Sequence, residues 1–429
     1  MERNNAKVNW LTAFNALLNV YTNNAFSNLA INDAINERPN CSSGMVRVMT
    51  KGVLRNSLLL DYNISYFTKN GLHGIKKRTL IILRMGFYAI AFMDSIPEHA
   101  AVNEAVALAK KVSRGTSGFV NAVLRSFIRN GKTLHIEENT NYLERISLKY
   151  SFPIDLVKLF FDQYGKDESE KIMKGLYEVP KLFIRVNTLR ISRENLIEKL
   201  REEGFEVEKS GLSKNGIEVE NGALLSSKAY KAGLFSVQSS SSLCAIEAFD
   251  PQAGERVLDL CAAPGGKSSA IAERMNNIGE IISCDLYPHR VELIKNQCKR
   301  LGIKIVKPKV MDSTIYEKSF CESFDRVLAD VPCSGLGVIA SKPELKNRVC
   351  VKEFSELVHL QLTILENAYK YLKRGGIMLY STCTLNKDEN EEVIKKFIQK
   401  HQTAEVIETN TILPYNNKVG FFYCKINKK

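Results

Sequence analysis

ERVLDLCAAPGGKSSAIAERMNNIGEIISCD (255–285) is the stretch whose reading decides the fold. It starts as a short apolar run, ERVLDL (255–260), and breaks into a turn of small residues that opens a helix. A second apolar run, EIISCD (280–285), then ends in an acid. A crossover of this length forces parallel pairing of the two strands, with helices on the sheet faces. The small residues of DLCAAPGGKSS (259–269) let the backbone approach a ligand closely, and the helix start presents free N–H groups. The spacing is not G-x-G-x-x-G, which argues against a dinucleotide.

The alternation continues toward the C-terminus. Strands are expected at IKIVKPKVMD (303–312), FDRVLAD (324–330), IMLYST (377–382) and GFFYCKI (420–426). RVELIKNQCKRLG (290–302) and EFSELVHLQLTILENAYKYLKRGG (353–376) are the intervening helices. The result is a doubly wound, Rossmann-like α/β sheet, whose ligands bind outside the carboxyl ends of the strands. Asp285 ends the second strand, where an acid accepts hydrogen bonds from ribose hydroxyls. Asp312 ends the third, where it can reach an adenine amino group. A nucleoside ligand without a triphosphate fits this pattern.

Two thiols share that edge. Cys333 follows strand four in DVPCSGLG (330–337), and Cys383 follows strand five in YSTCTL (380–385). Free cysteines are usually small core residues, but these two are flanked by Pro, Ser and Thr. A thiolate suits methylation at C5 of cytosine, because addition at C6 gives the poorly nucleophilic C5 enamine character. The C5 proton must then leave and the thiol be expelled, a step that a second thiol can assist. Asp330 is placed to hold the exocyclic amine and N3 edge of the base.

Upstream of the sheet the pattern differs. The chain has 429 residues, enough for two or three domains, and is 45% hydrophobic and 25% charged, as soluble globular proteins are. No apolar run is long enough for a membrane helix, and MERNNAKVNW has no signal-peptide core. The ten cysteines show no zinc-site spacing, so no metal is expected, and a reducing cytoplasm suits them. Residues 1–135 hold 17 lysines and arginines against 7 acids. That excess points to a polyanion partner. WLTAFNALLNVY (10–21), TLIILRMGFYAIAFM (79–93), HAAVNEAVALAKKV (99–112) and GFVNAVLRSFIRN (118–130) repeat apolar residues at helical spacing. Lys76, Lys77, Arg78, Lys110, Lys111, Arg114, Arg125 and Arg129 fall near helix ends and connections, within reach of a phosphate backbone. From 140 to 235 a small α/β unit is expected, with LFIRVNTLR (182–190), GIEVENGALLSS (216–227) and GLFSVQSS (233–240) as β segments and ISRENLIEKLREEGF (191–205) as a helix. Arg185 and Asn187 share a strand face there and either touch RNA or satisfy local hydrogen bonds.

The span 238–429 resembles the RNA cytosine-C5 methyltransferases, through CAAPGGK (261–267), DVPCSG (330–335) and YSTCTLNKDENE (380–391). The N-terminal third resembles the NusB-like RNA-binding domain, in KGVLRNSLLLDY (51–62), IPEHAAVNEAVALAKK (96–111) and GFVNAVLRSF (118–127). The resemblance implies three domains, at 1–135, 140–235 and 236–429, and a cytoplasmic monomer that methylates small-subunit ribosomal RNA. It implies that Cys261, Ala262, Ala263, Pro264, Gly265, Gly266 and Lys267 wrap S-adenosylmethionine, with Asp285 on the ribose, Asp312 near the adenine and Asp330 beside the donor. It also implies that Cys383 is the nucleophile, that Cys333 helps to release product and that Asp330 joins them in catalysis. Another RNA, such as transfer RNA, is the alternative substrate, and a non-catalytic RNA-binding or antitermination factor the alternative class. Ser239, Ala340-Ser341-Lys342 and Val419 depart from the family pattern at positions that bear on RNA contacts.

Overall fold

A computed structural model describes residues 2–220, 224–416 and 418–429. The chain divides into two compact units: one runs to Tyr177 and includes Ile339–Val349, and the other takes Glu178–Val338 and Cys350–Lys429.

The first unit is helical: α1 (Glu2–Asn23), α2 (Ser27–Asn36), α3 (Ser43–Arg55), α4 (Ser57–Tyr66), α5 (Lys77–Phe92), α6 (Glu98–Val112), α7 (Ser117–Arg129), α8 (Tyr142–Tyr150), α9 (Ile154–Tyr164) and α10 (Lys166–Tyr177). The three- and four-residue spacing of the sequence becomes its core. On α1 it buries Trp10, Ala13, Phe14, Leu17 and Val20, and on α7 Val120, Val123, Leu124 and Phe127. Phe127 stacks on Phe87 of α5 at 4.2 Å between ring centroids. Helices α8–α10 lie in the stretch expected to open the small α/β unit, but they pack with the helical unit, α8 against α4. The segment Ile339–Val349 is also held here: Ala340 and Ser341 present carbonyls to Arg55 and Lys51, and Glu344 accepts the Ser27 N–H at 2.8 Å.

The second unit contains two sheets. The smaller follows from β1 (Leu182–Val186), α11 (Arg193–Glu202), β2 (Val207–Lys209), β3 (Gly216–Val219), α12 (Lys228–Lys231) and β4 (Phe235–Val237). Its order is β2-β3-β1-β4, antiparallel throughout. Residues 221–223 of the expected segment 216–227 lie outside the described residues. The larger sheet is built from α13 (Ser240–Phe249), β5 (Arg256–Asp259), α14 (Gly266–Arg274), β6 (Glu280–Asp285), α15 (Pro288–Leu301), β7 (Val306–Val310), β8 (Phe324–Asp330), α16 (Phe354–Tyr371), β9 (Leu372–Thr382), α17 (Glu391–Lys400), β10 (Ala404–Ile412) and β11 (Phe421–Lys428). Its order is β10-β11-β9-β8-β5-β6-β7.

Strands β5 to β9 pair in parallel, as crossover length requires. The last two strands do not: β11 is antiparallel to β9 and β10 antiparallel to β11, so the sheet is mixed. The eight residues between β10 and β11 leave no room for a crossover helix, and the chain simply turns back. Alternation decides which helices cover each face. Val257, Leu328 and Leu379 face one core with Ile246, Ile271 and Ile294 of α13–α15. Leu258, Val327 and Met378 face the other with Leu365 and Phe397 of α16 and α17. Sheet order reverses between β5 and β8, so a cleft opens at their carboxyl ends.

Candidate active site

Five strands deliver the polar residues of this cleft. The chain leaves β5 at Asp259; the Ala262 N–H donates to Cys284 O at 2.8 Å and the Gly265 N–H to Ala262 O at 2.7 Å. This tight turn puts Gly265 at φ +100°, where a side chain is strained, and a Cβ there would lie 3.3 Å from the Ile294 backbone. Asp285, buried at the end of β6, accepts the N–H groups of Ala263 and Tyr287 at 3.3 Å each. Arg290 braces both sides, 3.3 Å from Asp285 and 3.2 Å from the Ala263 carbonyl. Loop 261–267 and Asp285 are therefore one construction. Asp312 lies two residues past β7 and is engaged in its own turn, accepting from Thr314 N–H at 2.9 Å and its hydroxyl at 2.6 Å.

The two thiols meet. Cys333 and Cys383 stand with their sulfurs 3.3 Å apart, within hydrogen-bonding distance, and both are half-buried free cysteines. A hydrogen bond to Cys383, then burial and the charge of Cys383, hold the Cys333 thiol well above the usual cysteine range. At this separation the two sulfurs can share one proton. Asp330, at the end of β8, accepts from Ser381 Oγ at 2.8 Å and from Lys267 Nζ at 2.6 Å. Burial works against the Lys267 charge, but Asp330, together with Cys383 and Asp259, outweighs it and raises the ammonium above its ordinary range. Lys267, expected only in the loop, is in fact the bridge from the loop to Asp330.

Sequence reasoning missed several members. Asp259 is buried at the end of β5, bonded to Ser268 Oγ at 2.6 Å, and burial pushes its carboxyl up to about 7. It reads as part of an apolar run. Cys261, already named in the loop from the sequence, is held well above its usual range by burial and by Asp259, Asp330 and Asp285, so it remains a thiol among acids. Arg290 and Ser381 carry no motif of their own and are recognised only by what they touch. Arg185 and Asn187 turn out to be internal: Arg185 pairs with Glu273 at 2.8 Å, and Asn187 donates to Gly233 O and Leu301 O, also at 2.8 Å. Of the departing residues, Ser239 caps α13 through Ser242 N–H, and the Val419 backbone bonds Ser241.

In the helical unit the eight basic candidates, Lys76 to Arg129, are all exposed, and among the described residues none lies in an ion pair. Among the described residues no His, Cys, Asp and Glu cluster could hold a metal, and no helix is long and apolar enough to cross a membrane.

Comparison with known proteins identifies the family of the chain. The family described as 16S rRNA methyltransferase RsmB/F matches residues 246–426, the NusB family residues 10–129, and the ferredoxin-like domain of RsmF/B-like methyltransferases residues 152–225. The chain is 37% identical to the probable ribosomal RNA small subunit methyltransferase B of Bacillus subtilis, over 97% of this chain and 98% of that one. It is 30% identical to the ribosomal RNA small subunit methyltransferase B of Yersinia enterocolitica, over 88% and 89% of the two chains. Among solved structures, PH0851 superposes with a TM-score of 0.85 at 27% identity, covering 99% of each chain. NSun6 of Pyrococcus horikoshii, solved with SFG, gives 0.59 at 26% identity, covering 65% of this chain and 98% of its own.

Proposed function

The chain belongs to the RsmB/F family of 16S rRNA methyltransferases, and we propose that it methylates C5 of a cytosine in small-subunit ribosomal RNA through a covalent adduct with Cys383. The observation that carries this reading is the pair of sulfurs 3.3 Å apart at the ends of adjacent parallel strands, beside Asp330.

The chain's own residues suit S-adenosylmethionine as donor. The 261–267 turn is narrowed by Gly265, the first turn of α14 offers N–H groups without helical acceptors, and Asp285 is fixed at the strand end facing it. When bound, the donor supplies an electrophilic methyl group to a nucleophilic carbon. Asp285 would bind its ribose and Asp312 its adenine.

Cys383, as the thiolate, adds to C6 of the base. Electron density then reaches C5, while Asp330, held by Lys267 and Ser381, steadies the N3 and amine edge. After C5 is methylated, Cys333 passes its proton to the departing Cys383 sulfur and takes up the C5 proton, so that the C5–C6 double bond re-forms as the C6–S bond breaks. In this reading the ribosomal RNA is gripped by the exposed cations of the helical unit.

A denaturing gel with labelled RNA tests the assignment. Cys383→Ala should neither methylate nor form an adduct, whereas Cys333→Ala should leave methylated RNA attached to protein. Normal turnover by Cys333→Ala would make Cys333 a packing residue, and an adduct with Cys383→Ala alone would reverse the two roles.

A further inference from the structure

The two thiols sit on separate strands 50 residues apart in sequence, so something must hold their loops together. We propose that Glu389 is the positioning residue of the thiol pair: its carboxylate ties the peptide that follows Cys333 to the peptide that follows Cys383, and so keeps the two sulfurs at hydrogen-bonding distance.

Glu389 is fully buried, so it meets neither solvent nor substrate. Its Oε2 accepts the Ser334 N–H and the Gln361 amide, both at 2.9 Å. Its Oε1 accepts the Ser334 hydroxyl at 2.5 Å and the Asn386 amide at 3.1 Å. Ser334 is the residue after Cys333. Because its hydroxyl proton goes to Glu389, the 2.7 Å contact with Thr384 Oγ1 requires Thr384 to donate, and Thr384 is the residue after Cys383. The Gln361 amide also donates to Pro332 O at 3.0 Å, on the other side of Cys333. Tyr380 Oη fixes the Glu389 carbonyl at 2.6 Å, and the Gly337 N–H reaches Cys383 O at 2.9 Å. A buried carboxylate is expensive unless such donors surround it, and here they come from both cysteine loops. An apolar residue of the same size would leave all of them unpaired. The Glu389 charge also adds to what keeps Cys333 protonated.

The inference rests on the reading of Cys383 as the ionised partner, but its test needs neither RNA nor methyl transfer. Alkylation of the full chain by iodoacetamide across pH, read peptide by peptide, reports each thiol separately. In the native protein Cys383 should react at least about tenfold faster than Cys333, since reactivity follows the thiolate fraction. In Glu389→Gln the amide nitrogen faces donors, and the preference should shrink to within about threefold, with the Cys383 profile moved to higher pH. Ser334→Ala, which removes one donor without changing charge, should fall between. Exposed Cys321 and Cys350 serve as controls whose rates should not change. If Glu389→Gln loses thermal stability yet keeps both native pH profiles, its role is only structural and the proposal fails. If that variant does not fold, unchanged profiles in Ser334→Ala overturn the proposal and an altered preference sustains it. A native protein with no preference between the thiols would instead overturn the assignment of Cys383, a failure that the adduct gel reports independently.

Discussion

Burial of a single carboxyl makes stability depend on pH, and Asp259 is where this shows. Its folded value of about 7 is set first by burial, against which the Ser268 hydroxyl offers one bond. An unfolded aspartate titrates near ~3.9. Between these values the folded state holds a proton that the unfolded state has lost, so stability falls as pH rises from about 4 to about 7 and is level beyond. Asp259→Asn should remove this slope. The variant should gain on the native protein across that window by on the order of 3–4 kcal/mol, read from urea midpoints at each pH. A stability difference that does not vary with pH would mean that Asp259 is ionised in the fold. The same residue shows the limit of sequence reading. Asp285, Asp330 and the two cysteines stand at the visible ends of apolar runs, so their common edge was legible. Asp259 lies inside VLDL, where a reader sees only strand, and Glu389 lies within a motif whose residues say nothing of what they bond.

At the scale of elements, long-range partners decide what local pattern leaves open. Arg185 on β1 could have faced RNA; instead it bonds Glu273, Ser269 and the Gly266 carbonyl of α14, and Gln238 besides. Its partner is 88 residues away, a separation that no periodicity reveals. The pair fastens the small sheet to α14, the helix that follows the 261–267 loop. Burial pushes the Glu273 carboxyl up and Arg185 pulls it back, so losing the cation leaves a buried charge alone. Arg185→Met should therefore cost about 3–5 kcal/mol in urea unfolding, and the double variant Arg185→Met/Glu273→Leu distinctly less. Equal losses would show that packing, not charge, is what the pair supplies. Strand β10 was illegible for a different reason. Residues 405–410 are all exposed at the sheet edge, so no alternation of apolar and polar residues marks them, whereas β5, β6 and β8 are covered on both faces.

For the whole molecule, the charge is unevenly spread, and its basic excess lies in the first third of the chain. The excess of 17 basic over 7 acidic residues in 1–135 was legible by counting, but how the cations are used depends on exposure. Lys110 and Lys111 end α6 and Arg114 follows it; all three are exposed. Deleting the helices would be a poor test, because Lys346 of the 339–349 segment is buried against the carbonyls of Arg55 and Tyr150 and would be stripped of both. Neutralising the cluster keeps that packing. Each phosphate contact releases counterions worth roughly 0.7–0.9 in the slope of log affinity against log salt. The triple variant Lys110→Gln/Lys111→Gln/Arg114→Gln should therefore bind small-subunit ribosomal RNA more weakly at low salt, with a slope reduced by up to about 2–3. Its affinity for S-adenosylmethionine should not change, since these side chains belong to the helical unit and the cradle to the other. An unaltered slope would remove this cluster from the RNA footprint and leave the remaining exposed cations of α5 and α7 to account for it.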